Sequence, residues 1–407
     1  MFRTTRKARP PRSRGLRPTV AALVLVAAAF GCGAPDGDSS DDQDAKDVPA
    51  KPGKAVALDV LDVAGNLQLT QGMIEAFERA HPETVSKVTY SKAPAPDLAG
   101  KIKAQQQAGR VQIDLVLTGT DGLAAGVEQD LWADMKPFRD RVGDPDYLQP
   151  AADMAELAQG KGTAIVYYPS GPLVEYDPDA VKSPPASPQA LLAWAKKHPK
   201  RFQYADPANS GPGRTWLMGL PYLLGDKDPA DPEKGWDKTW AYLKELDKYT
   251  APYASGTTET MKNLAGGQID MIMSTTGWYI NPRALGTVPK KMAVGRFDRM
   301  TWVTDAQYAV VPKGVDADTM SAVLQLIKWI LTPEQQAKAY DDGYFYPGPA
   351  VKDVPLSMAP AKSRKVIEEY GVPDFDRWID EFPKKPSLPA QAQVKAFDLW
   401  NRNVAGG

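Results

Sequence analysis

Three times in succession, a short apolar run ends in a polar turn and passes straight into a segment whose apolar residues recur at helical spacing. "AVALDVLDVAG" is followed by Leu69, Met73, Ile74, Phe77 and Ala80, and the recurrence stops at Pro82. "VTYSKAP" leads into "DLAGKIKAQQQAG". In "QIDLVLTGTDGLAAGVEQDLW" the strand over residues 113–117 enters its helix through Thr118-Gly119-Thr120. A strand that feeds a helix is half of a βαβ unit, and three of them call for a mainly parallel sheet wrapped by helices. Ligands of such sheets sit at the carboxyl ends of the strands. That rule singles out the turns holding Asn66, Thr118 and Thr120.

The alternation returns further along. "GTAIVYYPSGPLVEYDP" reads as two short strands separated by Pro169-Ser170-Gly171-Pro172, and Ser187 caps a helix whose first turn holds Pro188. Next come the strand "RFQYAD", the loop "ADPANSGPGRTWLMGL", helices across residues 215–224 and "GWDKTWAYLKELDKY", the helix "TTETMKNLAGG" and the strand "QIDMIMST". "WVTDAQYAVVPKG", two helices and "YFYPGPAVKDVPL" complete the pattern. No repeat of solenoid length occurs. Two strand-helix sections in 407 residues exceed what one core usually serves, so two lobes are expected.

The first seven charged residues, Arg3, Arg6, Lys7, Arg9, Arg12, Arg14 and Arg17, are all basic, and an apolar run over residues 20–30 follows. That order is a secretion signal, assigned to residues 1–31. Cys32, the only cysteine, stands at the cut and resembles the acylated cysteine of a bacterial lipobox. Residues 32–54 are rich in Asp, Ser, Pro, Gly and Lys and read as a hydrated tether. Asp36-Gly37-Asp38 does not make a calcium loop, because the glycine is misplaced and the terminal glutamate is missing. Removing the signal takes seven basic residues and no acid, which moves the formal charge from −1 to −8. Such a chain does not seek nucleic acid. One cysteine gives no disulfide framework, and His81 and His198 alone offer little for a zinc site or a histidine-dependent triad. No cofactor and no metal are expected.

The order of "IEAFERAHPETVSKVTY", "IDLVLTGTDGLAAGVEQDLW", "LAGGQIDMIMSTTGWYIN", "AVVPKG" and "LTPEQQAKAY" behind a lipobox resembles the solute-binding lipoproteins of bacterial ABC importers. Within them it is most similar to the branch of spermidine/putrescine, thiamine and iron receptors. The resemblance implies an α/β, two-lobed, type II periplasmic-binding-protein-like fold with a hinge and an interlobe ligand cleft. Lobe I would comprise residues 55–165 and 308–345 and lobe II residues 166–307 and 346–407, with crossings near residues 163–167 and 308–312. It implies no enzyme but a monomer, lipid-anchored outside the cell, that closes on a small solute and presents it to a membrane permease. An exported two-carboxylate glycosidase is the rival class. Neither G-x-S-x-G nor H-E-x-x-H occurs.

The loop "SGPGRT" lacks the lysine of a P-loop, and Pro212 has no N–H to offer a phosphate. Ser210, Gly211, Gly213 and Arg214 remain either as a binding wall before a helix or as a turn that merely starts one. Resemblance to polyamine receptors implies that Trp302 and Asp305 hold an ammonium group, by cation–π attraction and a charge-assisted hydrogen bond. Trp278 and Tyr279 are further candidate walls, although aromatics beside strands also suit a core. Glu259 is already explained by the dipole of its helix. The acidic and aromatic candidates argue for a polyamine-like or other cationic organic solute, whereas "SGPGR" argues for an anionic or hydroxyl-bearing group.

Overall fold

Strands β1 (Val56–Asp62), β2 (Val85–Lys92) and β3 (Leu115–Gly119) run parallel with β1 in the middle, as the three strand-helix units require. Their crossovers are helices α1 (Leu67–Ala80) and α2 (Ala95–Gln107), and α3 (Thr120–Glu128) continues from β3. The structure, a computed structural model, describes residues 45–63 and 65–406, all within one compact unit. β3 is buried along its whole length. Leu115 and Leu117 join one apolar cluster and Val116 the other, so both faces of the sheet are covered.

After α4 (Arg139–Val142) and α5 (Gln149–Leu157), strand β4 (Thr163–Gly171) leads through Pro172 into β5 (Leu173–Tyr176), which belongs to a second sheet. That sheet has the order β6-β7-β5-β8, with β6 at Phe202–Gln203, β7 at Met271–Ser274 and β8 at Ala293–Gly295. Around it lie α6 (Pro188–Lys197), α7 (Gly211–Leu224), α8 (Asp237–Asp247), α9 (Thr257–Ala265) and α10 (Thr276–Ala284). The chain then returns to the first sheet along β9 (Trp302–Val310).

A strand has two edges, and β9 uses both. β4 lies antiparallel along one edge. On the other, β3 pairs with residues 307–310 and β10 (Lys384–Pro386) with residues 302–304. Every residue of β4 and β9 is buried. The first sheet is therefore mixed, where the sequence predicts a mainly parallel one, because β9 enters it from the opposite direction. The expected crossings at residues 163–167 and 308–312 fall within or against this strand pair.

Helices α11 (Ala317–Ile330) and α12 (Pro333–Gln336) follow β9, and α13 (Ala361–Tyr370) and α14 (Phe375–Glu381) precede β10. Arg283 in α10 donates to the carbonyl of Tyr370. The helix α15 (Ala390–Trp400) packs against α3, and Trp400 Nε1 donates to the Tyr204 hydroxyl beside β6 at 3.0 Å. α15 also hides the Gln393 amide, neither of whose polar atoms has a partner among the described residues.

The expected tether is shorter than 32–54. Val48 is buried, Arg141 donates to the carbonyls of Val48 and Pro49, and the Gly53 N–H donates to Asp318. One apolar side chain and three backbone groups with partners suffice to dock this stretch. The signal segment and Cys32 lie outside the described residues. Among the described residues no helix is long and apolar enough to cross a membrane, and no group of His, Cys, Asp or Glu is placed to hold a metal.

Candidate ligand-binding site

A cavity of about 760 Å³ opens between the two sheets. Four helix N-termini reach its wall. They bring Gly119 and Asp121 from α3, Ser210 and Gly211 from α7, Gly256 to Thr258 from α9, and Thr275 from the cap of α10. The strand pair β4 and β9 contributes Tyr168, Ser170 and Gln307. Trp278, Tyr344 and Phe345 supply aromatic surface, with Trp278 set edge-on to Tyr344 and Phe345 stacked on Tyr168.

Local sequence explains how the N-termini are held. Ser210 Oγ accepts the Gly213 N–H at 3.1 Å, a cap of the usual serine kind, and also meets Thr257 Oγ1 at 2.8 Å. The starts of α7 and α9 are thereby fixed to one another. Thr275 Oγ1 caps α10 by accepting from the Trp278 N–H. At Gly277 a Cβ would stand 1.8 Å from the Tyr344 carbonyl oxygen, so only glycine lets α10 approach the segment that carries Tyr344 and Phe345.

Behind the wall is a buried ion cluster. Arg214 Nη2 donates to Asp305 Oδ2 at 2.5 Å, and its Nη1 lies 3.4 Å from Asp121 Oδ2. Asp305 Oδ1 accepts from the Thr120 hydroxyl and from the Ala306 N–H. Arg214 is 4% exposed and Asp305 0%. Burial by itself disfavours the charged guanidinium, but Asp305 and Asp121 outweigh it and raise its pKa above the ordinary value.

Of the residues expected to touch a ligand, Ser210, Gly211, Arg214 and Trp278 line the cavity. The others lie outside its lining, and the Thr118 hydroxyl and the Asn66 side-chain nitrogen are buried with no partner among the described residues. Asn66 is fully buried, with its N–H on Asp62 and its side-chain oxygen accepting from Thr70. Thr118 is buried under α3, and Thr120 is spent on Asp305. At Gly213 a Cβ would stand 2.4 Å from the Ala205 carbonyl oxygen, so its close approach is to protein backbone. The Tyr279 hydroxyl donates to the Met292 carbonyl. Trp302 is in the core, its indole N–H on the Trp378 carbonyl, and both oxygens of fully buried Asp305 already accept from protein donors. Glu259 lies on the wall, with Oε2 accepting from the N–H and hydroxyl of Ser255, which lowers its pKa.

Sequence reasoning passes over Tyr168, Ser170, Gln307, Asp121, Tyr344 and Phe345. For Ser170 a signal exists, since it ends a strand as the strand-end rule requires. Behind Thr275, Glu175 is fully buried and accepts from Ser274 Oγ at 2.8 Å. Burial pushes its carboxyl up to about 8, against the pull of Ser274 and Arg283.

The stretch over residues 72–367 matches the family of bacterial extracellular solute-binding proteins. Among solved structures the chain is similar to an ABC transporter protein from Clostridium perfringens, with 14% identity, a TM-score of 0.61 and coverage of 85% of this chain and 98% of that one. It is similar to a periplasmic binding protein from Actinobacillus pleuropneumoniae with fructose-6-phosphate bound, at 15% identity and a TM-score of 0.60, covering 86% and 98%. A spermidine/putrescine substrate-binding protein from Streptococcus pneumoniae gives 13% identity and a TM-score of 0.58, again covering 86% and 98%. No curated protein sequence matches.

Two outcomes are expected. Arg214→Met should cost about 3–5 kcal/mol in urea unfolding, because it leaves buried carboxylate charge without its partner. Adding Asp305→Asn should return part of that loss, and strictly additive costs would show that the two residues are not coupled. For Glu175, the unfolded carboxyl ionises near the ordinary glutamate value of 4.5 while the folded one keeps its proton to about 8. Unfolding thus releases a proton between those values, and stability falls as pH rises through that window. Relative to wild type, Glu175→Gln should gain stability from pH 4.5 to 8 and change little beyond either limit; a flat difference would dismiss the shifted carboxyl.

Proposed function

The chain belongs to the family of bacterial extracellular solute-binding proteins, and from that premise we propose that it is the substrate-binding component of an ABC import system. It captures a small polar solute between its two lobes and delivers it to a membrane permease. The observation that carries this reading is the cavity itself, whose wall takes residues from the carboxyl ends of strands in both sheets and from the strand pair between them. A ligand there touches both lobes only when they are together, so it shifts the population toward the closed arrangement. The family is one of binding proteins, and the two carboxylates on the wall, Asp121 and Glu259, are each engaged by protein donors, which disfavours the paired-carboxylate chemistry of a glycosidase.

The polyamine-like solute implied by Trp302 and Asp305 loses that pair, since both are occupied within the core. Trp278 alone remains at the cavity from the expected cation cage. The hinge of this reading lies in β4 and β9, where the chain passes between the two sheets. The N-terminus is proposed to be cut before Cys32 and acylated there, anchoring a monomer to the outer face of the cell membrane.

Saturating solute should leave chromatography unchanged in mass, reduce the radius of gyration in small-angle scattering and raise the melting temperature. An unchanged radius would indicate a rigid protein, and chemical turnover would indicate an enzyme. For the anchor, Cys32→Ala should appear in the soluble fraction without acylation. A variant still acylated and membrane-bound would reject Cys32 as the attachment site.

A further inference from the structure

Hydrogen-bonding capacity along the cavity wall is unequal. Each carboxylate there already meets protein donors. Asp121 has the Gly122 N–H and Arg214, Glu259 has Ser255, and Asp305 behind them has Thr120, Arg214 and Ala306. The donors are less well served. Among the described residues, fully buried Ser170 has no partner for its hydroxyl, and the Nε–H of buried Arg214 has no acceptor. The Gly211 N–H, in the first turn of α7, donates to nothing among the described residues. The Tyr168 hydroxyl accepts from Gln307, and burial holds its pKa well above the usual phenol range, so it keeps a proton to give. One acceptor, Gln307 Oε1, is also unpartnered.

Resting on the receptor reading above, we propose that the captured solute carries an oxyanion group, of the phosphate, sulfonate or carboxylate kind, seated at the Ser210–Gly211 end of the cavity. Four helices of nine residues or more turn their positive ends to this space. Unpaired N–H and O–H groups in a low-dielectric wall cost free energy until an acceptor arrives, and an oxyanion offers several acceptor sites in one compact group. Arg214, a lining residue, is held in place by its two carboxylates and still has N–H capacity to give. Trp278 and Tyr344 give the rest of the solute an aromatic surface.

Gly211 provides the test, because a Cβ there meets nothing within 4 Å. Gly211→Asp places a carboxylate at a helix start, where it favours folding, and in the space assigned to the anion. Phenyl phosphate, benzoate and benzylamine would be titrated by calorimetry into the wild-type chain, Gly211→Asp and Ser170→Ala, with folding checked by circular dichroism. The wild type should bind phenyl phosphate or benzoate, Gly211→Asp at least tenfold more weakly, and Ser170→Ala about tenfold more weakly, the scale of one hydrogen bond to a charged group. Benzylamine bound by the wild type and held as well or better by Gly211→Asp, with neither anion bound, would overturn the oxyanion inference and leave the receptor standing. Anion affinity unchanged in both folded variants would overturn the seat. Binding of none of the three, with no solute copurifying and no compaction, would overturn the oxyanion and the receptor together.

Discussion

The contact on which the site depends is the pairing of Arg214 with Asp305 and Asp121. It joins α7, which follows β6 of the second sheet, to β9 and α3 of the first. Desolvating three charges is costly, and their attraction offsets this only when geometry is close and the remaining lone pairs are satisfied. Here Thr120 and Ala306 serve Asp305 Oδ1, while the Arg214 Nε–H is left over on the guanidinium. The cluster therefore fixes where the first turns of α3 and α7 stand relative to each other, and with them the floor of the cavity.

The scaffold was legible because it is written in local periods. Apolar spacing of two and of three to four marks strands and helices within a dozen residues, and β1 to β3 with α1 to α3 appear where that spacing puts them. The cap Ser187 follows the same logic, its hydroxyl accepting from the Ala190 N–H. What local reading misses is any partner supplied from far away. Asp305 beside Trp302 looks like a waiting carboxylate until Arg214, 91 positions earlier, is folded against it. Tyr168 and Gln307, 139 apart, meet through the register of β4 and β9, which no short stretch encodes.

The candidate site illustrates a second limit. Ser210 and Gly211 could be found because a strand-turn-helix junction announces itself, whereas Tyr344 and Phe345 lie in a segment with little regular structure, brought in by the close contact at Gly277. Gly213 misleads in the opposite sense. A glycine rule suggests room for a ligand, and the room is filled by the backbone at Ala205. Glycine reports that something approaches, not what it is.

The placement of α15 has a mechanical meaning. It is a hasp with two fastenings, one on α3 beside the cavity floor and one where Trp400 meets Tyr204 and Tyr253. The second is reinforced by a hydrogen bond and crossed rings. The hasp also sequesters the Gln393 amide, which water would serve better than the protein does. Unfastening α15 is thus cheaper than its buried apolar surface alone implies, since hydration of that amide returns part of the cost.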